Sequence, residues 1–206
     1  MKIHDFPGFP NPARIRIALA EKGLADKVEF IHVDVPAGEH QEEEFRSKNP
    51  SAAVPVLELE DGTMISECTA ITEYLDNLDG APTLTGTTPR QRAITSMMQR
   101  RAEAGLLDAV AAYFHHATPG LGPHIEKQQC EPWGKLQRDR AVDGMRYLDK
   151  VLADQPYIAG DDFSIADITA FAGLAFADFA RIDVPAECAN LKAWHQKVAQ
   201  RPSIVG

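Results

Sequence analysis

The sequence predicts a mixed α/β unit over residues 1–80 joined to an all-helical unit over residues 90–206. Three observations carry this reading. The first 80 residues alternate short apolar runs with helical stretches, in the order strand, helix, strand, helix, strand, strand, helix. The stretch GAPTLTGTTP then interrupts the pattern, so residues 81–89 read as a linker. After Pro89 only helical periodicity remains.

Residues 2–6 form the first strand candidate, and Pro7, Gly8, Pro10 and Pro12 stiffen the turn that follows. Asn11 is expected as the N-cap of the first helix, with Pro12 in the first turn and Gly23 at the end. Val28 to Val35 alternates like a strand, and Glu42 to Phe45 suggests a short helix that Asn49-Pro50 breaks. Val54 to Leu59 and Thr63 to Ile65 make a hairpin around Asp61-Gly62. A helix from Glu67 to Leu78 closes the unit. In the second unit, helices are expected over Arg90 to His116, Trp133 to Leu152, Ser164 to Ala180 and Cys188 to Gln200. Ser164 and Asp167 have capping-box spacing, and the run ITAFAGLAFADFA behind them reads as the core helix.

Composition narrows the function. With 206 residues and 44% hydrophobic content, the chain can bury a real core. The start MKIHDFP lacks the apolar region of a secretory signal, and no stretch approaches 18 uncharged apolar residues, so a cytoplasmic protein without a membrane span is expected. Cys68, Cys130 and Cys188 are too few and too scattered for a metal knot or a disulfide scaffold. The net charge of -9 is concentrated in residues 1–80, and this disfavours nucleic-acid binding, which needs a basic surface.

A ligand cleft is expected where two such units meet. Val54-Pro55 supports two readings: Pro55 simply opens an edge strand, or it is a cis proline that turns neighbouring main-chain groups toward a ligand backbone. Glu67 is either a first-turn acid that stabilises its helix or a carboxylate that binds a ligand ammonium, while Cys68 beside it faces a ligand carboxylate. Cys68 also reads as a small half-buried side chain. Phe9, Pro10 and Asn11 occupy the first strand–helix junction, where Asn11 can donate a hydrogen bond into the cleft. No Cys-x-x-Cys lies there, which argues against disulfide exchange as the main activity. In the helical unit, Tyr113-Phe114-His115-His116 ends a long helix. Adjacent side chains point about 100° apart, so at most one histidine is expected to enter the cleft, where it could orient or deprotonate a water or thiol. Two histidines without nearby carboxylates at ligand spacing do not make a metal site.

Taken together, AVPVL with Pro55, ISECTAITEYL in place of the pattern E-S-x-A-I-x-x-Y-L, and FSIADI after Gly160 resemble the glutathione S-transferase family over essentially the whole chain. The stretch YFHHATPGLGP is similar to an atypical fungal and bacterial subgroup that lacks the usual N-terminal catalytic Tyr, Ser or Cys.

The resemblance implies a thioredoxin-like N-terminal domain that binds glutathione, an all-α C-terminal domain that lines the electrophile site, and a homodimer. It implies that main-chain groups at Val54, with Pro55 cis, pair with the cysteinyl part of glutathione. Glu67 and Cys68 would hold the γ-glutamyl end, Cys68 standing where Ser is usual, and His40 would lie near the glycyl end. A water held by His and Ser is the implied aid to thiol ionisation. His115 or His116 fills the first role, while residues 97–163 contain no Ser and Thr118 is the nearest hydroxyl. The expected chemistry is attack of the glutathione thiolate on small hydrophobic electrophiles held against Phe9, Tyr113 and Phe114, without a metal. Glutathione-dependent reduction of disulfides or peroxides, with Asn11 positioning the thiol, and a non-catalytic glutathione- or partner-binding domain are the alternatives.

Overall fold

The computed structural model describes residues 1–205, which divide into two compact units, Met1–Pro82 and Thr83 onward. The first holds a four-stranded mixed sheet. Strand β1 (Lys2–Asp5) runs parallel to β2 (Glu29–His32) and antiparallel to β3 (Val56–Glu58), which pairs antiparallel with β4 (Met64–Ser66). The sheet order is therefore β2-β1-β3-β4. The parallel pair requires a crossover, supplied by helix α1 (Pro10–Glu21).

Residues of both periodicities converge in one core. Ile3 lies opposite Leu57 across the β1–β3 ladder, and Ile15 and Leu19 of α1 join Ile71 and Leu75 of α3 (Cys68–Asn77) around them. These six side chains are fully buried, each worth about 1.5–3 kcal/mol in removal from water. Helix α2 (Glu43–Lys48) is short and contributes Phe45. On the other strand pair, Arg16 bridges Asp5 at 2.8 Å and lies 3.8 Å over the Phe30 ring, tying α1 to β1 and β2.

Asn11 is not the helix cap. Helix α1 begins two residues earlier than the sequence reading placed it, with Phe9 at the N-cap and Pro10 inside the first turn. Proline's preset φ and missing N–H suit that place, because first-turn donors have no helical partner. The Asn11 carboxamide oxygen instead accepts from Arg14 Nη1 at 3.0 Å.

The second unit is helical. Helix α4 (Pro89–Ala102) starts at a reciprocal capping box between Thr88 and Gln91, a signal the sequence reading did not use. The expected long helix over 90–116 is interrupted by a π-helical turn at Glu103–Leu107, beyond which α5 (Asp108–Ala117) continues. Helices α6 (Glu131–Val151), α7 (Ile165–Phe179), α8 (Ala189–Val198) and the short α9 (Pro202–Val205) complete the unit. Leu106, Met145, Leu148, Ile158, Ile168 and Ile182 are its fully buried large side chains. Gly144 on α6 approaches the π turn so closely that a Cβ there would collide with the Gly105 carbonyl oxygen. Leu84 is buried, and its carbonyl accepts the Ile165 N–H at 3.0 Å, so this part of the expected linker packs onto the start of α7.

The capping box at α7 forms as expected. Its acid, Asp167, is completely buried and accepts four hydrogen bonds. Oδ1 receives Ile158 N–H at 2.9 Å and Trp194 Nε1–H at 3.0 Å, and Oδ2 receives the Ser164 N–H and O–H, both at 3.0 Å. Burial pushes this carboxyl up to about 6, against the opposing pull of the four donors. The core reading of the α7 run needs one correction. Ile168, Ala170, Ala172, Leu174 and Ala177 are core, but Phe171 and Phe176 are half-buried and Ala175 and Phe179 are exposed. Close approach to the neighbouring helix favours small side chains: a Cβ at Gly173 would already lie 2.9 Å from Leu106.

Candidate functional site

In the first unit, the loop entering β3 is set by one buried side chain. Asn49, 2% exposed, donates from Nδ2 to the Ala53 carbonyl at 2.7 Å and accepts the Ser51 N–H on Oδ1 at 3.1 Å. This Asx-type clamp leads the chain through Ala52, at φ +52°, to Val54 and Pro55. The Val54–Pro55 peptide is cis, and both residues precede the β3 ladder, which opens at Val56. The sequence reading treated Asn49 only as a helix breaker. A polar residue that ends a helix five positions before the candidate ligand edge at Val54 was the available signal.

Glu67 joins β4 to α3 with φ +69° and ψ 120°, a conformation that L-residues rarely adopt and that costs about 1–3 kcal/mol. It occupies the N-cap of α3 and makes no side-chain capping bond. Its exposed carboxylate therefore stands beside the positive end of α3 without closing it. The Cys68 side chain points the other way, into the apolar core, and its thiol donates to the Asn11 carbonyl at 3.4 Å. What Cys68 can offer a ligand is its main-chain N–H at the start of the helix. His40 lies in a tight turn at Glu39–Gln41 and is buried, with Nδ1 left without a hydrogen-bond partner. Burial holds its ring below the usual histidine range, so it is a neutral imidazole near pH 7. Phe9 is half-buried and packs edge-on against Phe6, with ring centroids 4.7 Å apart.

In the second unit, the end of α5 and the segment that follows are knit together. Gln129 Nε2 donates to the carbonyls of His115 at 2.7 Å and Thr118 at 2.8 Å, satisfying acceptors that a helix C-terminus leaves open. The Thr118 hydroxyl donates to the Phe114 carbonyl at 2.6 Å and accepts the Gly120 N–H at 3.1 Å, so its proton is committed within the helix end. His115 Nδ1 lies 2.7 Å from Glu126 Oε1, and the same oxygen accepts the Leu121 N–H at 2.9 Å. His116 Nδ1 accepts the Cys130 N–H at 3.1 Å. The two neighbouring histidines are thus held in different ways.

Phe114 belongs to an aromatic group that the sequence reading did not assemble. Its centroid lies 5.3 Å from Phe176 and 5.8 Å from Phe179, and Phe179 is 71% exposed. Such rings present apolar faces to a planar, poorly solvated molecule. Tyr113 is half-buried on the same helix. The two units therefore present different kinds of surface. The first has polar main chain and a carboxylate at a helix start, and the second has oriented imidazoles beside an aromatic surface.

Comparison with known proteins defines the class. A family profile described as glutathione S-transferase, N-terminal domain, matches residues 10–78, and one described as glutathione S-transferase, C-terminal domain, matches residues 104–202. The chain is 56% identical over 204 residues to glutathione S-transferase 2 of Saccharomyces cerevisiae, covering 99% of this chain and 88% of that protein. The crystal structure of Gtt2 from that yeast superposes with a TM-score of 0.98, covering 99% of this chain and 98% of that one. A glutathione S-transferase domain-containing protein of Marinobacter aquaeolei gives a TM-score of 0.97 at 58% identity, covering 99% and 100%. A class Gtt2 glutathione S-transferase of Vibrio parahaemolyticus gives 0.85 at 30% identity, covering 100% and 96%. The chain belongs to the glutathione S-transferase family. It is an enzyme of the glutathione transferase class, with the thioredoxin-like and all-helical architecture of that family.

Proposed function

We propose that the protein conjugates glutathione, as its thiolate, to small hydrophobic electrophiles. The observation that carries this reading is Glu67, held at positive φ with its carboxylate beside the start of α3, to which its side chain makes no capping bond. A free α-amino acid end answers both features: its ammonium pairs with Glu67 and its carboxylate with the main-chain N–H groups at Cys68. The main chain at Val54, beside Pro55, pairs with the cysteinyl part, and the neutral His40 lies toward the glycyl end. The electrophile rests on Phe9, Tyr113 and Phe114, and Asn11 lies near the sulfur.

One of the paired histidines takes the thiol proton, directly or through water. A thiol of pKa about 8.5 needs a shift of only one or two units, about 1.4 kcal/mol each, to be largely ionised near neutral pH. The reading extends to a homodimer that works in the cytoplasm on the detoxification of electrophiles, without a metal, membrane or nucleic-acid partner. Exposed large apolar side chains such as Leu78 and Met97 support association, and no helix among the described residues is long and apolar enough to cross a membrane.

The test is a comparison of glutathione conjugation to chlorodinitrobenzene with reduction of mixed disulfides and hydroperoxides. Conjugation is expected to dominate, and Glu67→Ala is expected to raise KM for glutathione about tenfold. Dominant reduction, or tight glutathione binding without turnover of any electrophile, would replace this reading with one of its alternatives.

A further inference from the structure

We propose that Glu126 is the positioning residue that makes His115, and not His116, the proton acceptor of the site. This rests on the reading that a histidine of α5 takes the thiol proton. The assignment follows from hydrogen-bond direction. Glu126 Oε1 already accepts the Leu121 N–H, so it is an acceptor oxygen, and the 2.7 Å contact to His115 Nδ1 carries its hydrogen on the imidazole. Neutral His115 is thereby fixed with Nδ1–H toward Glu126 and a lone pair on Nε2.

His116 has the opposite arrangement. The Cys130 N–H can only donate, so His116 Nδ1 supplies the lone pair at 3.1 Å, and its neutral ring carries the hydrogen on Nε2. The nitrogen of His116 that could gain a proton is the one already occupied. Of the two adjacent histidines, His115 alone has an uncommitted basic nitrogen built into its tautomer. Its side chain is 41% exposed, whereas that of Glu126 is 10% exposed, so the carboxylate is the buried, fixed partner of the pair.

Gly120 shows that the space for this carboxylate is built. It sits at φ +55°, and a Cβ there would collide with Glu126 Oε1 and lie 2.7 Å from Glu126 Cδ. Only a residue without a side chain leaves the carboxylate in place under His115. In the proton transfer, the thiol S–H bond breaks, sulfur keeps the electron pair, and the proton reaches His115 Nε2 directly or by way of one water. The imidazolium that forms keeps its Nδ1–H on the Glu126 carboxylate, which stabilises the new charge.

Three measurements test this. In the 15N-histidine-labelled wild-type protein, two-bond 1H–15N correlations should show His115 protonated at Nδ1 and His116 at Nε2. The reverse at His115 overturns the proposal without reference to activity. In conjugation kinetics, Glu126→Ala should lower kcat about 10- to 100-fold with KM for glutathione within twofold, the range expected for the orienting partner of a working imidazole. Glu126→Gln, whose amide oxygen can accept from both Nδ1–H and Leu121 N–H, should keep most of kcat. Gly120→Ala should reproduce the Glu126→Ala defect. In a His115→Ala background, Glu126→Ala should cause no further loss. If it causes an equal loss there, Glu126 is merely structural and the proposal falls. If His115→Ala alone leaves kcat unchanged, the reading of the site fails instead, and the tautomer measurement still decides the geometry.

Discussion

Replacing Asp167 by Asn tests the most heavily bonded buried group of the helical unit. The side chains have almost the same shape, but an amide offers one acceptor oxygen where the carboxylate offers two. With the amide NH2 in the Oδ1 position two donors, Ile158 N–H and Trp194 Nε1–H, face it, and in the Oδ2 position the Ser164 N–H does, since the Ser164 hydroxyl can turn to accept. Unpaired buried donors cost about 1–3 kcal/mol each, and removing a buried charge returns part of that, so a net loss of about 2 kcal/mol at pH 7 is expected. The pH dependence gives a sharper test. This carboxyl holds its proton up to about pH 6 in the folded chain but only to 3.8 in the unfolded one. It therefore favours folding at low pH, and that contribution disappears as pH rises through about 6. At about 1.4 kcal/mol per unit, the span is worth about 3 kcal/mol. The gap between wild type and Asp167→Asn should widen from about 2 kcal/mol at pH 7 to about 4 kcal/mol at pH 4. Urea unfolding between those pH values, followed by the fluorescence of buried Trp194, measures it. A gap that narrows on acidification would show that the four donors outweigh burial, and would refute the reasoning.

Two further substitutions probe the scaffold of the site. Gly144→Ala places a methyl group against the Gly105 backbone, which cannot move aside as a side chain would, so a loss of about 2 kcal/mol or more is expected in thermal or urea unfolding. A loss below 0.5 kcal/mol would mean that α6 and the π turn separate freely. Asn49→Ala removes both bonds that hold the loop before Val54, and should cost about 1–2 kcal/mol and raise KM for glutathione several-fold with kcat nearly unchanged. An unchanged KM would detach this loop from glutathione binding.

Most of the fold was legible because its elements follow single periodicities. The strands around Ile3 and Leu57 and the helices carrying Ile15, Leu19, Ile71 and Leu75 each declare a buried face, and Ser164 with Asp167 declares a helix start. Asn11 misled because an N-cap preference was weighed against Pro12 while Pro10 set the helix start. Phe176 and Phe179 were missed because an apolar run does not reveal which of its large residues a close helix contact will exclude. At the site, Glu67 and Val54-Pro55 stood out by their local pattern. Asn49 and Glu126 did not, since each acts through a hydrogen bond whose partner is fixed only by the folded loop. Thr118 was visible as a hydroxyl, but its use within its own helix was not.

The π turn at Glu103–Leu107 adds a consequence for how this family member could change. A single extra residue in a helical turn rotates everything beyond it by about 100° relative to an uninterrupted α-helix, which is also the angle between successive side chains. The turn thus acts as a phase setting for α5. Straightening it into regular α-helix without removing a residue would carry Phe114 toward the direction His115 now takes and swing His115 away from Glu126, whereas deleting the one extra residue would leave His115 in place. Which side chain of α5 meets the carboxylate is therefore decided at the turn before it, at a place with no chemistry of its own.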